Sequence, residues 1–252
     1  MISAQPATPI IFAHRGASNY APENTLAAFE LAARQGAPAI ELDAMLSADE
    51  AVVVIHDATV ERTTDGHGKV RELPLAVLKK LDAGSSFDFA FRGEPIPTLD
   101  EVFEAVGGRV YINIELKNYA APLDPLPARA AEVVRRHRQE RGVLFSSFNP
   151  LALRRIRRLL PECPIGLLAL PGSAGAWARS WMGRLLPYQA LHPEVSDATP
   201  ELIQAAHRRG QQVNVWTVDQ EAQIQQLIRQ GADGIITNDP PLALRALAAQ
   251  YS

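Results

Sequence analysis

Apolar and polar positions along the chain follow two alternating rhythms. Short runs rich in Ile, Val and Leu recur at residues 10–13, 39–46, 52–56, 110–116, 143–148, 165–170, 190–192, 212–218 and 234–237. Between most of them, apolar residues repeat every three to four positions. That spacing predicts amphipathic helices over 24–35, 99–106, 127–139, 150–160, 200–209, 219–230 and 240–249. Asn24 reads as the N-cap of the first. Strands alternating with helices imply βαβ units and a parallel sheet. No low-complexity linker divides the chain, so residues 1–252 are expected to form one domain, a TIM (β/α)8 barrel. A doubly wound open sheet is the alternative. It would favour a Gly-x-Gly-x-x-Gly loop after the first strand, where this chain has HRGASN.

The list of runs holds one strand more than an eight-stranded barrel needs. The connection between 46 and 52 is too short for a crossover helix and predicts a hairpin turning at 48–51. Reflection about the midpoint of Asp49 and Glu50 sets Asp43 opposite His56. The second strand then overshoots the barrel rim, and the extra strand is an extension that returns His56 beside Asp43. Residues 57–97 (DATVERTTDGHGKV and FDFAFRGEPIP within them) lack helical rhythm and read as a small insertion over the active-site end.

Composition narrows the class. The 252 residues are 47% hydrophobic and 21% charged, as in an ordinary globular protein, and the net charge of −3 argues against nucleic-acid binding. A single cysteine, Cys163, fits a reducing compartment. The first sixteen residues show neither a basic n-region nor a long apolar stretch, and no apolar run approaches the roughly 20 residues that span a bilayer. A cytoplasmic location without stable membrane insertion is expected. The basic runs RRHRQER and RRIRR read as solvated helix faces. Trp177 and Trp181, four apart, predict a helix packed on its neighbours, with a membrane-grazing lid as the alternative. Nothing in the pattern sets an oligomeric state.

In a barrel, functional residues gather at the C-terminal ends of the strands. There this sequence places His14, Arg15, Glu41, Asp43, His56, Asp57, Glu115, Lys117, His192 and Trp216. Glu41 and Asp43 are two apart, as are Glu115 and Lys117, so each pair shares one face of a strand whose other residues are apolar. Both pairs are expected to point inward. Three converging carboxylates need a cation, and an all-oxygen donor set suits Mg2+ or Ca2+. A ring of structural salt bridges among Glu41, Asp43, Arg15 and Lys117 is the alternative. Two histidines beside such a site suit acid–base chemistry on an anion, with one ring accepting a proton and the other donating one. Arg15 and Lys117 can hold a phosphate. These are the parts that cleavage of a phosphodiester requires.

Less is fixed at other positions. His192 is expected either to touch the substrate or to cap a strand end. Trp216 is expected either to stack on substrate carbons or to close the barrel top. His67, His137 and His207 read as surface residues, Asp57 as a loop-orienting residue, and Glu23 as a helix-end carboxylate with a link to Arg15.

The motifs HRG…PENT, ELDAMLSADEAVVVIHD, ERTTDG…V, IPTLDEVF, NIELK, SSFN, WTVD and ITNDP run through nearly the whole chain. In order and spacing the chain closely resembles the glycerophosphodiester phosphodiesterases, particularly their bacterial cytoplasmic members. The resemblance implies a TIM barrel with this family's small insertion. It implies His14 and His56 as the acid–base pair, Glu41, Asp43 and Glu115 as ligands of Mg2+ or Ca2+, and Arg15 and Lys117 as phosphate contacts. The implied reaction releases sn-glycerol 3-phosphate and an alcohol from a small glycerophosphodiester. A lysophospholipase D-like hydrolase is the alternative, needing an apolar groove built from Phe87, Phe89, Phe91, Trp177 and Trp181.

Overall fold

β-branched and aliphatic runs with no polar interruption suit strands covered on both faces, and such runs build this fold. The computed structural model describes residues 8–180 and 187–250. The strands are β1 (Ile10–His14), β2 (Ala39–Leu46), β3 (Val52–Val54), β4 (Tyr111–Leu116), β5 (Val143–Ser147), β6 (Ile165–Ala169), β7 (Ala190–Pro193), β8 (Gln212–Val215) and β9 (Gly234–Thr237). Their order is β1-β9-β8-β7-β6-β5-β4-β2-β3, and β1 also pairs with β2. Eight parallel strands thus close into a barrel. Around it run α1 (Leu26–Arg34), α2 (Leu75–Leu78), α3 (Leu99–Val106), α4 (Leu126–Arg136), α5 (Pro150–Leu159), α6 (Ala176–Arg179), α7 (Pro200–His207), α8 (Glu221–Gln230) and α9 (Pro240–Gln250). Strand alternation sorts the side chains. Ile40, Leu42 and Ala44 of β2 and Ile112, Ile114 and Leu116 of β4 join the buried cluster shared with the helices. The residues between them, Glu41, Asp43, Asn113 and Glu115, point into the barrel.

β3 is antiparallel and pairs with the overshooting end of β2, as the hairpin reading expects, but one residue out of the expected register. The pairs are Ala44 with Val54, Met45 with Val53 and Leu46 with Val52. Asp43 therefore faces Ile55, whose N–H donates to the Asp43 carbonyl (2.9 Å). The turn is centred on Asp49 and carries Glu50 at φ 62°. Glutamate gives no sign of a left-handed conformation, so the odd-numbered loop is invisible in the sequence.

Three other expectations change. Thr25, not Asn24, caps α1, accepting from the Ala28 N–H (3.2 Å). Asn24 stands at φ 58° and turns its side chain to Asp43 instead. The segment 57–97 is not devoid of helix: it contains 3-10 turns at Val70–Glu72 and Phe89–Phe91 as well as α2. It also has a core of its own, in which Val53 and Ile55 pack with Val60, Val70, Leu78, Ala83 and Ile96. Finally, His137 and His207 are half-buried structural residues, each 2.7 Å from a carboxylate, Asp100 and Asp233 respectively. Trp177 packs partly buried on the main core. Trp181 lies outside the described residues.

Candidate active site

The C-terminal ends of the strands surround a cavity of about 230 Å3. β1 delivers His14 to it. The ring Nδ1 lies 2.7 Å from Asn238 Oδ1, just past β9. The orientation of that amide follows from its other partner, because Asn238 Nδ2 donates to Asp219 Oδ2 (2.6 Å). The Ser18 hydroxyl donates to the same Oδ1 (2.9 Å). A carbonyl oxygen only accepts, so the His14 proton belongs on Nδ1 and the Nε2 lone pair faces the cavity. Burial, reinforced by the charge of Arg15, pushes the His14 pKa down to about 4.

His56 lies just past β3, with its Nδ1 2.6 Å from Asp57 Oδ1. Arg62, from the insertion, braces that carboxylate through Nε (2.6 Å) and reaches Glu23 with both terminal nitrogens (2.8 and 2.7 Å). Glu23 also accepts from Arg15 Nη1 (2.8 Å). A chain of charges, Arg15–Glu23–Arg62–Asp57–His56, therefore follows the rim. It links residues that sequence separates widely.

The acidic cluster lies beneath. Glu41, Asp43 and Glu115 each offer an oxygen, all within 4.8 Å of one another. The Arg15 backbone N–H donates to Glu41 Oε2 (3.1 Å), an approach made with Arg15 at φ 55°. Asp43 is embraced: Asn24 Nδ2 donates to it (2.8 Å), Arg15 Nε stands 3.2 Å away and Lys117 Nζ 3.4 Å away. Burial works to raise the Asp43 carboxyl, but Lys117, Arg15 and His56 overcome it and hold it at about 2. Glu41 goes the other way. Burial and the neighbouring Asp43 and Glu115 carboxylates push it well above the usual range. Lys117 also meets Glu115 at 3.3 Å, and the Tyr119 hydroxyl donates to Glu115 (2.5 Å). Burial acts against the Lys117 charge, yet Glu115 and Asp43 raise its pKa.

The salt bridges of the alternative reading are therefore present, but they converge on Asp43. Among the described residues, Glu41 has only the Arg15 N–H and the His14 ring, 3.9 Å away. A buried, oxygen-only donor set whose carboxylates repel one another fits a hard divalent cation, which would relieve that repulsion. These three residues can hold such an ion.

The opposite wall is apolar, formed by Phe148, Leu168, Leu170, Trp216 and Ile236. Trp216 lines the cavity, donating its indole N–H to the His192 carbonyl (2.8 Å) and standing edge-on to Phe148. His192 is not among the lining residues. It is fully buried inside the barrel, and its Nε2 pairs with Asn214 Nδ2 (3.0 Å). Gly166 makes room for it, since a Cβ there would come within 2.4 Å of Nε2. The substrate contact expected of His192 is thus not offered, because Gly166 and Asn214 give the ring a place in the barrel interior. Asn238, Asp219, Arg62 and Tyr119 escaped the sequence reading. Arg62, Asp219 and Asn238 lie in the motifs ERTTDG, WTVD and ITNDP, but nothing in those motifs assigned them a partner.

The sequence pattern that defines the Glycerophosphoryl diester phosphodiesterase family matches residues 14–242. A protein of Caldanaerobacter subterraneus subsp. tengcongensis named glycerophosphodiester phosphodiesterase is 40% identical over 232 residues, which cover 92% of this chain and 94% of the relative. The solved structure of an Oleispira antarctica phosphodiesterase in complex with the product sn-glycerol-3-phosphate is similar with TM-score 0.87 and 35% identity, over 96% of this chain and 97% of that one. A glycerophosphodiester phosphodiesterase from Agrobacterium tumefaciens gives TM-score 0.82 and 32% identity, over 94% and 99%.

Proposed function

The chain belongs to the glycerophosphoryl diester phosphodiesterase family and is a phosphodiesterase; on that basis we propose that it cleaves glycerophosphodiesters to sn-glycerol 3-phosphate and an alcohol, using His14 and His56 as the acid–base pair. The observation that carries the reading is the shared tether. Both rings are tied through Nδ1, His14 to Asn238 and His56 to Asp57, which leaves both Nε2 atoms for one cavity. The product bound by the Oleispira relative supports the substrate class.

Glu41, Asp43 and Glu115 would hold a divalent cation, Mg2+ or Ca2+. When bound, it neutralises charge on the phosphoryl group. Arg15 and Lys117 hold phosphoryl oxygens. One imidazole takes the proton of the glycerol 2-hydroxyl, whose oxygen attacks phosphorus at short range. The phosphorus–oxygen bond to the alcohol breaks, and the other imidazole protonates the departing oxygen. A five-membered cyclic phosphate results. Water then opens it, with the histidines exchanging roles, and sn-glycerol 3-phosphate leaves.

The test is an assay of purified protein on a panel of glycerophosphodiesters and lysophospholipids with each metal, scoring released glycerol 3-phosphate. Hydrolysis of synthetic cyclic glycerophosphate, with no cleavage of an analogue lacking the 2-hydroxyl, is expected. Brisk cleavage of that analogue would replace the cyclic route by direct attack of water. For lysophospholipids, Phe87 and Phe91 meet edge-on in the insertion, and neither they nor Phe89 lines the cavity. No helix among the described residues is long and apolar enough to cross a membrane. The lone, free Cys163 supports a cytoplasmic location.

A further inference from the structure

The cavity floor carries two polar atoms that the protein leaves unsatisfied. Asn113 Oδ1 on β4 and Ser146 Oγ on β5 are buried without a hydrogen-bond partner, and both residues line the cavity. Asn113 is 1% exposed and Ser146 is 0% exposed. The neighbouring serine shows the contrast. Ser147 Oγ donates to the Leu116 carbonyl (2.7 Å) and accepts from the Asn149 N–H (3.0 Å). Buried polar groups left unpaired weaken a fold, so a pair of them facing one cavity points to a ligand that completes them.

Their place in the sheet says which part of the ligand. Asn113 pairs with Glu41 across the sheet, and Ser146 pairs with Glu115. Asn113 lies two residues before Glu115 on the same strand, roughly 6.6 Å deeper in the barrel. Lys117, which holds the phosphoryl group, is two residues further out again. A three-carbon chain anchored by its phosphate at Arg15 and Lys117 would run inward, its carbons against Leu168 and Ile236, and end on the floor. One oxygen there accepts only, whereas the serine hydroxyl can donate. A single hydroxyl satisfies both, donating to Asn113 and accepting from Ser146.

We propose that Asn113 and Ser146 form a neutral subsite for the terminal hydroxyl of the glycerol moiety, and so make the enzyme selective for glycerol over alcohols that lack that group. The proposal rests on the reading that this cavity takes the glycerophosphate half of the substrate. It leaves the 2-hydroxyl, next to the phosphoester, free for the chemistry.

The experiment compares kcat/KM for glycerophosphocholine with that for the matching diester of propane-1,2-diol, which keeps the reacting hydroxyl and lacks the terminal one. Wild-type enzyme is expected to prefer the glycerol compound by about tenfold or more, since a site built to bond a hydroxyl rejects the analogue without it. Ser146→Ala and Asn113→Leu, checked for folding by circular dichroism and thermal melting, are expected to cut that ratio at least about threefold. A smaller change in folded variants, or a wild-type ratio near one, overturns the subsite and leaves ordered water as its occupant. The wild-type ratio stands even where a variant does not fold. Absence of turnover of either compound by wild type with Mg2+ or Ca2+ would instead refute the substrate reading, and the subsite with it.

Discussion

The wall formed by β1, β2 and β4 carries His14, Glu41, Glu115 and Lys117, every one of them held by an ion pair or a hydrogen bond. Across the same cavity, Leu168, Trp216 and Ile236 present carbon. Charges on the first wall are positioned one by one, and each partner has its own braces. Shape on the second wall is set collectively by packing, where no single contact dominates. Reaction chemistry should thus fail sharply when the first wall is altered. Changes to the second should act gradually, through binding.

Removing the proposed cation would attack the charged wall as a whole. EDTA is expected to reduce turnover to background, and added Mg2+ or Ca2+ to restore it. Glu41→Gln, Asp43→Asn and Glu115→Gln are expected to weaken metal binding, measured by calorimetry, with little change in circular dichroism. Full turnover in metal-free buffer would return the cluster to a structural role. Next come the histidines. His14→Ala and His56→Ala are each expected to lose about 10²–10⁴-fold in kcat, the usual worth of acid–base assistance. Either variant keeping wild-type turnover would break the assignment.

Arg62 tests whether the rim network counts. Arg62→Ala leaves Asp57 and Glu23 without their shared cation, and a loss of about tenfold in kcat/KM is expected from a charged hydrogen-bond partner. Arg62→Lys should recover only part of it, because a single ammonium cannot replace the fork. Equal rates for all three proteins would make the network ornamental to catalysis. On the apolar wall, Trp216→Ala is expected to raise KM several-fold, on the order of tenfold, while kcat changes less. A collapse of kcat with unchanged KM would erase the contrast between the walls.

An effect on stability, with no expected change in turnover, lies behind the apolar wall. Burial pushes the pKa of His192 down from 6.5 to about 3. Between those values the unfolded chain binds the proton and the folded one does not, so stability is expected to fall as pH drops through that window. Urea melts from pH 7 to 4 should show a shallower decline in His192→Gln than in wild type. An identical pH dependence would show that burial of this ring carries no such penalty.

The same contrast governs what the sequence reveals. Glu41, Asp43, Glu115 and Lys117 were legible because a charge at every second position of an apolar strand has only the barrel interior to occupy. The barrel itself was legible from strand–helix alternation. Trp216 was picked out by its place at a strand end, but Leu168 and Ile236 were not separable from the core, since an apolar cavity wall and a packed core have the same composition. Arg62 and Asn238 were missed for a different reason. Their partners, Glu23 and His14, are far away in sequence, and no periodicity encodes a loop-to-loop contact. The one-residue error in the hairpin came from Glu50, whose left-handed backbone has no signature in its side chain.

His14 and His56 do not stand on equal foundations. His14 is carried by the closed ring, which has no edge to fray. His56 hangs from β3, which lies outside the closed ring, between β2 and the segment before α3 (the Val54 N–H donates to the Pro97 carbonyl, 2.8 Å), and from the small apolar cluster of the insertion. Elements outside the closed ring, resting on a modest core of their own, are expected to open at lower free energy than the whole molecule. The chain is therefore expected to reach a state in which the barrel is intact and His56, half of the proposed acid–base pair, is displaced. On warming, activity should disappear before the barrel melts, and amide exchange across residues 52–60 should mark the temperature at which it does.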